Sequence, residues 1–80
     1  MEAEEAIWAD HEREVAAIRG RLQEALLSPQ PAAMIHPRFL GMLLRAQSAT
    51  AKRLGVTPED PTVAGRFAAE EAALQRVCGL

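Results

Sequence analysis

The stretch LGVTPEDPTVAGRF, Leu54 to Phe67, holds the end of one helix and the start of the next. Gly55 is placed to take the left-handed conformation that closes a helix ending at Leu54. Two polar residues then precede prolines, Thr57 before Pro58 and Asp60 before Pro61, and each pair reads as an N-cap with proline at the first helical position. Asp60 is the better start. A helix begun at Thr57 would put Pro61 where its missing N–H deletes the first intrahelical bond. From Val63 through Phe67, Leu74, Val77 and Cys78 the apolar positions recur at helical spacing, and Gly79 ends the run. The spacing predicts a helix over 61–78, with Glu70 on its inner face and Glu71 beside it.

Working outward, the helix that Gly55 closes is expected over 37–54. Pro37 suits a first helical position and His36 would then be its N-cap. Phe39, Leu40, Met42, Leu43 and Leu44 spread over roughly 200° of that helix, about twice the stripe a surface helix needs, so one neighbour cannot cover it. Before it, SPQPAA, Ser28 to Ala33, breaks the chain with two prolines. Trp8, His11, Val15, Ile18, Leu22 and Ala25 alternate spacings of three and four, predicting a helix over 3–27 with Gly20 on its outward side. Three helices, short proline-containing loops and no strand signal define an all-α fold. It is either a small three-helix bundle or a helical hairpin with a packed third helix, in a single domain over 1–80.

The LGVTPEDPTVAGRF stretch, preceded by SATAKR, resembles the helix-turn-helix pattern in which Leu-Gly-Val and a later Thr-Val flank a tight turn. That resemblance would imply a DNA reader. Two observations oppose it. Gly55 to Val63 spans eight residues where the pattern has about six, which lengthens the turn and disturbs the crossing of the two helices. Residues 57–80 also carry four acids against two arginines, a net charge of −2, and phosphate would repel such a helix. The middle of the chain is slightly similar to a helical element of phage small terminase subunits, without a motif that carries a residue across.

Charge is segregated along the chain. Residues 1–28 carry seven acids and three arginines, net −4, whereas residues 29–56 carry Arg38, Arg45, Lys52 and Arg53 and no acid. Arg38, Arg45 and Lys52 recur every seven residues, about 10 Å apart along one helix side. This basic stripe is either a solvated face or a docking strip for an acidic partner or phosphate.

Composition excludes several functions. Sixteen of the 80 residues are alanine, and one Trp and two Phe are the only aromatic residues apart from two histidines. The apolar runs are far shorter than the ~20 residues of a membrane span, and the acidic N-terminus does not read as a secretory signal. A lone Cys78 cannot close an internal disulfide, which fits a cytoplasmic setting, that of a bacterium, a phage or an infected host cell. No metal-ligand spacing, glycine-rich phosphate loop or nucleophile–base pattern occurs, so neither a cofactor nor enzyme chemistry is expected. His11, on the inner side of the first helix, is expected as a satisfied core or rim histidine, with a buried polar pair to Glu70 as the alternative.

The function these readings imply is a non-enzymatic helical interaction module, an adaptor, co-chaperone-like or assembly protein. It would bind another protein, or its own copy as a homo-oligomer, through Met34, Ile35, Leu40 and Leu44 on the second helix. The alternative is a nucleic-acid-associated helical protein gripping phosphate with Arg38, Arg45, Lys52 and Arg53.

Overall fold

Asp60 caps a helix over Pro61–Val77: its carboxylate accepts the Thr62 backbone N–H at 2.9 Å and the Thr62 hydroxyl at 2.6 Å. These bonds hold its carboxyl below the ordinary carboxylate range. Seven residues upstream of that helix, Leu54 ends another, and Gly55 follows it at φ 78°, a backbone geometry that costs a residue with a Cβ. A computed structural model describes residues 2–80, with α1 over Glu4–Ala25, α2 over Ala32–Leu54 and α3 over Pro61–Val77. No strand occurs among the described residues.

The helices alternate in direction. Glu2 and His11, early in the chain, reach Arg53 and Thr50 near the end of α2, so α1 and α2 form an antiparallel hairpin. Gln47 of α2 reaches Phe67 and Glu70 of α3, which runs back along α2. The outcome is a three-helix bundle 45 Å long and 20 by 15 Å across, with α2 as the helix both others pack against.

The interior is divided in two. Toward the α1–α2 loop, Ile18, Leu22, Ile35, Phe39, Leu43, Leu74 and Cys78 form the larger cluster. At the other end Ala51, Val63 and Phe67 pack with the half-buried Trp8, Leu54 and Val56. Trp8, whose spacing suggests the core, sits instead at the edge of this smaller cluster, under the Arg66 guanidinium, 3.8 Å from the ring centroid. The α1 residue buried in that turn is Ile7, because α1 turns Ile7, His11 and Ile18 rather than Trp8 toward α2. Cys78, close to the chain end, is buried, and burial pushes its thiol pKa up, which leaves a poor nucleophile.

The start of α2 departs from the sequence expectation. The helix begins at Ala32, capped by Pro31 in extended geometry, and Pro37 lies inside it. His36 is therefore not an N-cap but a half-buried helical residue. Proline there removes the bond its N–H would give to Ala33 and costs about 3 kcal/mol. The extra turn carries Ile35 to the side occupied by Phe39, and Ile35 is only 2% exposed. Burying such a side chain contributes about 1.5–3 kcal/mol, so tertiary packing offsets the local penalty. Pro37 and Ala33 are both exposed, so water can satisfy the orphaned carbonyl. Pro37→Ala should accordingly raise stability by about 1–2 kcal/mol, the helical gain less the lost stiffness of the unfolded chain. A lower melting temperature for that variant would show that Pro37 holds the start of α2 in place.

Candidate functional site

Between the two apolar clusters lies a polar node. Nε2 of His11, which is buried, donates to the Glu70 carboxylate at 2.8 Å, and Nδ1 lies 2.7 Å from the Thr50 hydroxyl. That second bond runs in either direction: the hydroxyl donates to a neutral ring, or the ring N–H donates to the hydroxyl oxygen. Gln47 completes the node, donating from Nε2 to Glu70 and to the Phe67 carbonyl, each at 3.1 Å. Burial works to raise the Glu70 pKa, but the bonds from His11 and Gln47, with the positive charge of Arg66, outweigh it and hold the carboxyl below its ordinary value. No buried side-chain nitrogen or oxygen among the described residues lacks a partner. The node therefore pins all three helices at one level.

A hydroxyl, an imidazole and a carboxylate in sequence have the composition of a nucleophile–base–acid relay. Thr50 is buried, however, and His11 spends both ring nitrogens within the node. No described group of three or more His, Cys, Asp or Glu residues could hold a metal ion. The arrangement sets register and orientation.

The surface of α2 divides into three sides. On the α3 side, Leu40 is half-buried against the larger cluster and Leu44 is 43% exposed. Leu40 lies with His36 in a groove of about 410 Å³ whose α3 wall is Ala68, Glu71, Ala72 and Gln75. Ala68 and Ala72 leave part of that wall low, between the longer Glu71 and Gln75. Met34 is 70% exposed at the loop end, where Leu27 and Leu80 are exposed too. Ile35, grouped with Met34, Leu40 and Leu44 by sequence, belongs to the core and is unavailable to a partner. A helix starting at Pro37 would leave Ile35 in a loop, whereas the start at Ala32 turns it inward.

On the outward side, Arg38, Arg45 and Lys52 are exposed and make no ion pair among the described residues. Arg38 rests over its neighbour Phe39, 5.0 Å from the ring centroid. Arg53 stands off this line, nearer α1, on the side where Arg45 also borders the α1–α2 groove. One residue on from Lys52 is 100° around the helix, and Arg53 turns to α1, where it binds Glu2 through Nε at 3.0 Å and Asp10 at 2.9 Å. Sequence reading missed Gln47 and the role of Thr50; the available signal was two polar residues among the inner positions of α2. It also missed the Trp8–Arg66–Glu12 stack on the outside of α1 and α3, with Arg66 and Glu12 at 2.7 Å.

No described helix is long and apolar enough to cross a membrane. No family model, curated protein or solved structure matches this chain.

Proposed function

We propose that this protein is a small, non-enzymatic helical interaction module that docks a protein partner along the α3-side edge of α2. The observation that carries this reading is Leu44, which stays 43% exposed beside Leu40 while the bundle's own core is complete without it. An apolar edge beside a wall that Ala68 and Ala72 leave partly open suits the apolar face of a partner helix; Met34, six residues and about 120° around α2 from Leu40, lies on the outward side. The closed polar node supports a binding rather than a catalytic role. A reduced, buried Cys78 suits a cytoplasmic setting.

The test uses Leu44→Lys. The position is exposed, so helicity and melting should change by no more than about 0.5 kcal/mol. Leu40 is left alone, because its packing against the core would confuse loss of binding with loss of fold. A discrete protein retained from the host by wild type and lost by the variant is the expected result. Retention of the same protein by both would remove Leu44 from the interface.

A second reading draws on Arg38, Arg45 and Lys52, which stand unpaired on one helix side. If they grip phosphate, binding to duplex DNA should appear at low salt, and Arg45→Ala should reduce the salt slope by about one unit. The acids of α1 and α3 oppose this, and no duplex binding is expected at moderate salt.

A further inference from the structure

The α1–α2 hairpin has two faces, and α3 covers one of them. The other carries a groove of about 480 Å³ to which α3 contributes no residue; Asp10 and Glu14 line it from α1, and Met42, Arg45, Ala49 and Arg53 from α2. Acids stand on one wall and bases on the other. Asp10 and Arg53 are already paired, with each other and with Arg13 and Glu2. Glu14 and Arg45 are exposed and make no ion pair among the described residues.

We infer that this face is the contact between two copies of the chain, related by a two-fold axis parallel to the helices. Such an axis leaves each residue at its own height along the bundle and lays α1 of one copy, antiparallel, over α2 of the other. His11 bonds Thr50 across the hairpin, so they share a height. Three residues further along α1 and five back along α2, Glu14 and Arg45 then lie within about half a helical turn of one another. Each Glu14 thus meets the second copy's Arg45, and the two-fold makes the pairing twice. A face 45 Å long and 15 to 20 Å wide is on the scale of the ~600–1,000 Å² per partner that a standard interface buries. The half-buried Met42 and Ala46 on its floor supply apolar area at the centre of the charged rim. Two hairpins joined in this way make a four-helix bundle with the α3 helices outside it. This face is on the opposite side of α2 from Leu44, so Leu44 and Glu14 variants fail independently.

The test is sedimentation equilibrium at low ionic strength on the full chain, with Glu14→Arg, with Arg45→Glu and with an equimolar mixture of the two variants. Wild type should dimerise. Each variant alone places like charges opposite each other and should weaken the dimer about tenfold or more. The mixture should recover it, because each copy then offers the other the opposite charge. Arg38→Glu should tighten the dimer, since the same axis brings Arg38 to the height of the second copy's Arg21. Glu14→Gln and Arg45→Gln, milder changes at exposed positions, should each weaken it less than the reversals and guard against a reversal that unfolds. A wild type that stays monomeric up to millimolar concentration overturns the inference. So does a dimer indifferent to the single reversals, or a mixture no tighter than either variant alone.

Discussion

Leu43→Ala should lower the unfolding free energy by about 2–5 kcal/mol. Leu43 is 1% exposed and packs with Ile18, Leu22, Ile35, Phe39 and Leu74, so all three helices lose contacts to the cavity it leaves. A domain of this length has a total stability of about 4–12 kcal/mol, and the variant should melt at least about 10 °C lower. Thermal unfolding followed by circular dichroism measures this directly. Leu27→Ala is the control: that leucine is 86% exposed, and its loss should change stability by about 0.5 kcal/mol or less. Equal melting of the Leu43→Ala variant and wild type would mean that the inner face of α2 lies elsewhere.

The second large effect is expected at Glu70. Its removal strips the buried His11 of one partner and Gln47 of one of two, and Glu70→Ala should cost about 2–3 kcal/mol. Glu70→Gln keeps an acceptor for the His11 N–H and should cost less. The folded-state carboxyl is held below its ordinary value of 4.5, so its contribution to stability is fully present above that value. It is lost as pH falls through the lower, folded pKa. Glu2, bonded to Arg53, and Asp60, bonded to Thr62, are held low as well and share the acid sensitivity. Denaturant midpoints for wild type and Glu70→Gln at neutral pH and below pH 4 isolate the node. The gap between the two proteins should narrow in acid, and a gap independent of pH would show that the Glu70 charge contributes nothing.

The node also shows how far a site can be read from a linear chain. His11 and Glu70 each stand at an inward position of an amphipathic helix, and an acid on an inner face requires a compensating partner. That much is local. Gln47 and Thr50 are polar residues of ordinary kinds on α2, and only the relative heights of the three helices bring them to the same level. The surface shows the same limit. Leu44 is legible as surplus apolar area from its angle around α2, whereas Ile35 changes from surface to core with a shift of five residues in the helix start.

The features legible in the chain alone are those set within one or two turns. Asp60 and Pro61 start α3 and Gly55 ends α2, because capping bonds and left-handed backbone depend on adjacent residues alone. The helical periods and the segregation of charge between α1 and α2 are equally local. Tertiary structure decided where α2 begins, which residues complete the node, and which side of α2 is left open. Proline at position 37 disfavours a helix through it, and only the burial of Ile35 against Ile18, Leu22 and Phe39 compensates. That energy comes from residues up to seventeen positions away in the chain, outside the reach of any local preference.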